Sequence, residues 1–461
     1  MLDIKFIREN KDLIDAGAKK KHINFDVNKL IEVDDARRSL LTSIENKKAE
    51  QNKVGENITR PTADQADRER LISEMRDLKD LIKVEEERFT EIMKEWQQLM
   101  VAVPNIPDMS VPEGLDDSDN VEVRTWGEIP KFDFNPMGHI DLMLQNDMAD
   151  FERGTKVAGF RGYFLKNAGA RLEFAVWQAA MDFFTKRGFD PMIVPSLVRR
   201  ETLLGTGYIP QGEDDLYKTQ DTDYLAGTGE VATMSYYSDE IIDLKDLPKK
   251  MLAFSPCFRR EAGSHGKQTK GVYRVHEFFK LEQVILCEAS HEMSVNFHEE
   301  LTRNAEEFLQ ALGLPHHVVI NCGGDIGLGQ VKKYDIEAWI PSENRYGETH
   351  SSSYFHDFQT RRLNIRYRDT EGKLRFAHSL NNTAIATPRV LISIVENNQQ
   401  ADGSIVVPEI LRPYMSGVSV IKAPEAVVHA VAHEAVTPST PVEHSADSSD
   451  TSVLNEDAKE L

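Results

Sequence analysis

Phe258-Arg259-Arg260-Glu261 opens the stretch that decides the fold, and Gly271-Val272-Tyr273-Arg274-Val275-His276-Glu277-Phe278-Phe279-Lys280-Leu281-Glu282 closes it. Between them Ala262 to Lys270, with Gly263, Ser264 and Gly266, reads as a polar, mobile loop. The pattern is two strands joined by that loop. Both strands carry arginine and glutamate where a half-buried strand normally carries Val or Ile. Charges of both signs on facing strands predict a pocket for something both anionic and cationic. A nucleoside triphosphate together with an amino acid meets that description; a surface hairpin with solvated charges is the bland alternative.

Working outward, strand-like runs at Met251 to Phe258, Tyr273 to Gln283, Tyr334 to Ile340 and Leu363 to Tyr367 are separated by polar turns of hairpin length. They predict an α+β domain, an antiparallel sheet with flanking helices, in place of a doubly wound parallel series. Neither GxGxxG nor GxxxxGK[ST] occurs, so a Rossmann or P-loop nucleotide site is not supported. The mixed region runs from 136 to 420. Residues 104–135, rich in Pro and Asp, read as a linker, and residues 421–461, dominated by Ala, Val, Ser, Thr, Pro and acids, as a disordered tail.

Residues 1–103 read differently. After a short amphipathic helix, Leu30, Val33, Leu40, Ile44, Val54 and Ile58 recur at three- and four-residue steps, with Arg37, Lys47 and Gln51 in the missing slots. Thr59-Arg60-Pro61-Thr62 breaks the pattern, and Leu71, Met75, Leu78, Ile82, Phe89, Ile92, Trp96 and Leu99 resume it, interrupted by Glu85. Two helices of about 30 residues predict an antiparallel coiled coil about 45 Å long. A dimerisation device is the commoner use of heptads.

The 461 residues carry a formal net charge of −21, which argues against indiscriminate coating of nucleic acid. The segment Arg37 to Arg76 is nonetheless locally basic, with nine basic and seven acidic residues. Cys257, Cys287 and Cys322 show no metal-ligand spacing and read as buried thiols of a reducing cytoplasm. Met1 to Lys5 lacks the apolar core of a signal peptide, and no apolar stretch reaches membrane-spanning length.

Three further runs join the opening one: Arg187-Gly188-Phe189 to Pro195, Gly347-Glu348-Thr349-His350-Ser351-Ser352-Ser353, and Leu380-Asn381-Asn382-Thr383 to Arg389, which leads into an apolar helix from Val390 to Asn398. The Gly188-Phe189 to Pro195 run resembles motif 1 of class II aminoacyl-tRNA synthetases, the Phe-Arg-x-Glu hairpin opening at 258–261 resembles motif 2, and the strand ending in Arg389 resembles motif 3. Within the class, Arg274 to Glu282, Thr228-Gly229-Glu230, Glu348 to Ser351, Asp357 to Arg362 and the two-helix arm resemble seryl-tRNA synthetases over residues 1 to about 420.

The resemblance implies a serine–tRNA ligase: ATP and serine give seryl-adenylate and pyrophosphate, and serine then passes to the 3' end of tRNA(Ser), with tRNA(Sec) left open as a second acceptor. It implies that Arg259 and Arg389 are catalytic, and that Thr228, Gly229, Glu230, Arg259, Glu282 and Thr383 bind serine. It assigns ATP to Arg259, Arg260, Glu261, Arg274, Val275, Phe278, Glu348, Thr349, His350, Ser351 and Arg389, and Mg²⁺ to Glu348 and Ser351. His276 is read as structural. The arm then binds tRNA, with Lys47, Lys48, Lys53, Arg60, Arg68 and Arg70 towards its tip, and the protein is expected to be a homodimer through motif 1. Two positions depart from the usual pattern. Gly229 replaces alanine, expected to loosen the loop, and Glu277 replaces glutamine, expected to alter charge near the nucleotide. A ligase for a carrier protein would lack the arm, and an inactive regulatory paralogue would lack Arg259, Glu261 or Arg389; this chain has all of them.

Overall fold

The heptad runs become two long helices. In the computed structural model, which describes residues 1–58, 65–262 and 271–424, short helices α1 (Ile4–Glu9) and α2 (Lys11–Lys20) precede α3 (Val27–Ile58) and α4 (Gln65–Ala102). At about 1.5 Å per residue the 32 residues of α3 span about 48 Å. The helices run antiparallel: Lys29 meets Glu95, whereas Lys48 meets Glu86. The polar interruptions of the two runs explain each other. Lys47 Nζ lies 3.1 Å from Glu85 Oε1, and the Ser43 hydroxyl donates to the same carboxylate. Arg37, another misfit, lies over the Trp96 ring and pairs with the buried Asp34. At the root, Ile7, Ile14, Leu30, Ile31, Met100 and Val103 form a separate small core.

The remaining chain builds one eight-stranded sheet from β1 (Val121–Trp126), β2 (Asp190–Ile193), β3 (Lys249–Phe258), β4 (Glu277–Cys287), β5 (His316–Ile320), β6 (Lys332–Ile340), β7 (Arg345–His356) and β8 (His378–Thr387). Its order is β1-β5-β6-β7-β8-β4-β3-β2, antiparallel throughout except for the β2–β3 pair. Helices α5 (Asn167–Thr185), α7 (His291–Ala311) and α8 (Arg389–Asn397) lay apolar faces on it, so that Leu172, Val176, Phe308 and Ile394 share a core with Leu281, Ile285, Ile336 and Leu380. The short helix α6 (Glu230–Ser235) begins at Gly229 and packs beside β4.

Three boundaries differ from the sequence reading. The linker contains β1, an edge strand pairing with β5 whose side chains are mostly exposed, which leaves little apolar signal. Strand β4 begins at Glu277, four residues later than expected, because Gly271 to His276 takes an irregular path. Val420–Ile421 pairs with Ile405–Val406 and Ile421 is buried, so the folded unit extends to Lys422. The loop at 263–270, the helix break at 59–64 and the tail from 425 onward lie outside the described residues. No described helix is long and apolar enough to cross a membrane.

Candidate active site

Strands β4, β7 and β8 lie side by side at the middle of the sheet, and their charged side chains open into one cleft of about 430 Å³. On β4 the residues two apart, Phe278, Lys280 and Glu282, share the face that lines it. Two bulges bring the other strands into line. The β4–β8 register steps from Leu281–Ile385 to Glu282–Thr383, which makes Ala384 the extra residue and sets Thr383 directly across from Glu282. The β6–β7 register steps from Ile336–His350 to Glu337–Glu348, leaving Thr349 extra. Residues three apart in a regular strand face opposite ways; the bulge puts Glu348 and Ser351 on one face.

Among the described residues the cleft holds four cations, Arg259, Arg274, Lys280 and Arg389, and four carboxylates, Glu230, Glu261, Glu282 and Glu348. Three pairs form among them. Arg274 pairs with Glu261, Lys280 Nζ lies 2.6 Å from Glu282 Oε2, and Arg389 Nη1 lies 3.4 Å from Glu348 Oε2. The Lys280–Glu282 contact lacks hydrogen-bond alignment, so Glu282 Oε2 keeps accepting capacity, while Asn381 donates to Oε1 at 3.1 Å.

Arg259 and Glu230 are left over; neither enters an ion pair among the described residues. Arg259 donates from Nε to the Gly227 carbonyl at 3.2 Å and lies over Phe278. Glu230, 2% exposed, accepts among the described residues only from neutral groups, the Tyr208 hydroxyl at 2.8 Å and Gln359 Nε2 at 2.7 Å. Burial, reinforced by Glu282, pushes its carboxyl up to about 7. Burial acts the same way on Glu348, but Arg389, Lys333, Arg259 and Arg274 outweigh it and hold that carboxyl below its ordinary range. Among the described residues, the cleft charges left without an ion-pair partner are thus one guanidinium and one carboxylate, the complement of a zwitterion.

The sequence-assigned residues sort as follows. Glu230, Arg259, Glu261, Arg274, Val275, Phe278, Glu282, Glu348, Thr349, His350, Ser351, Thr383 and Arg389 all line the cleft. Thr349 and His350 do so from its floor, with side chains bonded inward: the Thr349 hydroxyl donates to the Ile336 carbonyl, and His350 Nδ1 meets Thr349 Oγ1. Thr228 and Gly229 lie behind it; Thr228 Oγ1 accepts from the Glu230 amide at 3.3 Å and so helps to place that carboxylate. Arg260 is the exception, because its guanidinium points outward and donates to the Asp214 carbonyl. His276 ties the hairpin by bonding the Arg259 carbonyl through Nδ1 at 2.9 Å. Sequence reasoning missed Tyr208, Gln359, Lys280 and Tyr273, on whose ring Arg389 stacks at 4.5 Å. Lys280 left a signal in its two-residue spacing from Glu282, and Gln359 in its place within the Asp357 to Arg362 run.

Residues 1–107 match the seryl-tRNA synthetase N-terminal domain, and residues 216–398 match the class II tRNA synthetase core domain of the G, H, P, S and T enzymes. The serine–tRNA ligase of Deinococcus radiodurans is 46% identical over 425 residues, 92% of this chain and all of that one. The chain belongs to the seryl-tRNA synthetase family. Among solved structures, seryl-tRNA synthetase from Pyrococcus horikoshii complexed with ATP superposes with a TM-score of 0.85 at 37% identity, covering 92% of this chain and 100% of that one. The cytoplasmic serine–tRNA ligase of Naegleria fowleri in complex with AMP gives 0.81 at 32%, over 92% of this chain and 99% of that one.

Both departures from the usual synthetase pattern have a structural setting. A Cβ on Gly229 would lie 3.0 Å from Ser255 Oγ and 3.4 Å from Ala253 Cβ, so the space of the missing methyl is taken up by neighbours and the expected loosening does not follow. Glu277 is exposed and faces a second hollow with Tyr163 and Phe279, off the cleft. Its charge is therefore not among those that line the cleft. In the arm, Lys47 and Lys48 are engaged with Glu85 and Glu86, and Arg70 with Asp67; Lys53 and Arg68 are exposed and enter no ion pair among the described residues. Arg60 lies outside the described residues.

Proposed function

We propose that this chain activates L-serine with ATP and transfers it to tRNA(Ser). The observation that carries the proposal is the pair of uncompensated charges, Arg259 and Glu230, set beside Glu282 and Thr383, which face each other across the β4–β8 ladder. The serine carboxylate takes the guanidinium, whose planar fork can also grip an α-phosphate. The ammonium takes Glu230. The hydroxyl lies between Glu282 and Thr383, and a polar pocket of this kind rejects alanine because its buried groups would lose a partner. A carboxylate is already a nucleophile near neutral pH, so adenylate formation needs positioning and charge neutralisation and no protein base. Arg274 and Arg389 supply that charge to the distal phosphates, and Phe278 offers a face for the adenine.

The donor set fits Mg²⁺. Glu348 and Ser351 share a face and offer one ionised carboxylate and one hydroxyl, and Mg²⁺ is commonly held by one or two carboxylates plus substrate phosphates. No group of three acidic, histidine or cysteine ligands occurs among the described residues, which suits a cation shared with ATP better than a permanent protein cage. When bound, the ion would neutralise phosphate charge.

Residues 1–103 serve as the tRNA-binding domain, 104–135 as its connection, which also lends β1 to the sheet, and 136–422 as the catalytic domain. Among the assigned arm residues that the structure describes, Lys53 and Arg68 are exposed, enter no ion pair and are available for phosphate contacts. The homodimer forms through the motif 1 region, where Ile193 is 87% exposed and Phe174 59%, apolar surface that a second copy would cover. The setting is the cytoplasm. Aminoacylation tests the proposal: serine, ATP and tRNA(Ser) should give seryl-tRNA, and removal of 48–84 with a short turn closing the arm should abolish transfer while sparing adenylate formation. Equal transfer by the trimmed protein would refute the tRNA role of the arm. The same assay with tRNA(Sec) decides whether it is a second acceptor.

A further inference from the structure

The backbone from Gly327 to Gln330 forms one wall of the cleft. Its four successive carbonyls all accept hydrogen bonds from two residues of the N-terminal region. Lys21 Nζ donates to Gly327 at 3.0 Å, Leu328 at 2.9 Å and Gln330 at 2.6 Å. Asn105 donates its amide to Leu328 at 2.9 Å and Nδ2 to Gly329 at 2.9 Å. Lys21 is 3% exposed and pairs with no carboxylate among the described residues. Burying an ammonium without a counter-charge is costly, and packing alone does not call for one here, since Ile23 next door already fills the apolar contact with Leu328, Phe355 and Phe358. The three convergent carbonyls are what the ammonium serves.

The two residues stand at the two roots of the arm. Lys21 lies just before α3, and Asn105 just after α4. The wall they hold is on the Glu230 side of the cleft. A Cβ on Gly329 would lie 2.6 Å from the Phe358 ring, and the same ring bounds Gly207. Gln359, the next residue, donates to both the Thr206 carbonyl and Glu230. Arg274 and Glu261 occupy the hairpin end of the cleft.

We infer that Lys21 and Asn105 are positioning residues for the amino acid: they clamp the 327–330 wall to both roots of the arm and so fix the serine side of the cleft. The inference rests on the serine reading of the site. Lys21→Met keeps the stem and removes the donors. In serine-dependent pyrophosphate exchange it should raise the KM for serine about tenfold, the scale of one lost charge-assisted hydrogen bond, with the KM for ATP within about twofold. Amide hydrogen exchange at 326–331 should quicken. Ile14→Ala loosens the same N-terminal core without touching the clamp and should change neither KM. The inference is overturned if the KM for serine stays within about twofold of wild type, if both KM values rise together, or if Ile14→Ala gives the same split. Should Lys21→Met fail to fold, Asn105→Ala carries the same test with the same criteria. A wild-type protein inert towards serine would overturn the serine reading instead; amide exchange at 326–331 then decides the clamp by itself, and unchanged exchange in the variant overturns it.

Discussion

Replacing Glu230 by glutamine should separate binding from stability in opposite directions. The side chain is 2% exposed and, among the described residues, receives only the Tyr208 hydroxyl and the Gln359 amide, so its charge waits for a cation. On the proposed reading that cation is the serine ammonium. Removing one partner of a buried, hydrogen-bonded charge pair costs about 2–5 kcal/mol, so the KM for serine should rise by about 30-fold or more. Because burial raises this carboxyl to about 7, the free site is charged only as pH rises through that value. Wild-type kcat/KM for serine should therefore climb through about pH 7, and that climb should be missing in Glu230→Gln. Stability runs the other way. The native state keeps the Glu230 proton up to about 7, whereas an unfolded chain releases it near its ordinary 4.5. The native state binds more protons in that window, so wild-type stability falls as pH rises across it, and the loss persists above it. Without that ionisation, Glu230→Gln should unfold at a higher temperature than wild type at pH 8 in the absence of serine. Pyrophosphate exchange at varied pH and thermal unfolding measure both limbs. A serine KM within about threefold of wild type, with the same pH profile, would refute the assignment of Glu230 to the ammonium.

Arg259→Ala should lower serine-dependent exchange at least about 100-fold, since loss of a contact to developing phosphate charge costs about 3 kcal/mol; near-normal exchange with intact thermal unfolding would remove Arg259 from its role. Thr383→Ala should erode the preference for serine over alanine, read as the ratio of kcat/KM values, because the hydroxyl loses a partner opposite Glu282. In the arm, Glu85→Ala should destabilise by about 1 kcal/mol or more through stranding Lys47, whereas the double change Lys47→Leu, Glu85→Leu should be close to neutral; denaturant unfolding of the two variants distinguishes these outcomes.

Much of the site was legible because its residues cluster in three short runs whose order carries meaning. The pairing of Glu282 with Thr383 was not, since it depends on a bulge at Ala384 that no local spacing announces. Glu348 and Ser351 were associated by resemblance; alternation alone would have put them on opposite faces, and the bulge at Thr349 resolves the conflict. Arg260 was assigned with its neighbours, yet it lies past the end of β3 at Phe258, and its exposed guanidinium bonds the Asp214 carbonyl away from the cleft. Tyr208 and Gln359 come from segments remote in sequence and meet Glu230 only through the fold. In the arm, Lys47 and Glu85 each looked like a defect in a heptad until the antiparallel register set them together. Strand β1 escaped because an edge strand exposed on most positions has no apolar pattern to display.

Exchange of labelled pyrophosphate into ATP, run with each of the twenty amino acids in turn, tests the central claim most directly. The account predicts exchange with serine, strong discrimination against alanine, and loss of the serine signal in Arg259→Ala. Robust exchange with another amino acid and none with serine would contradict it.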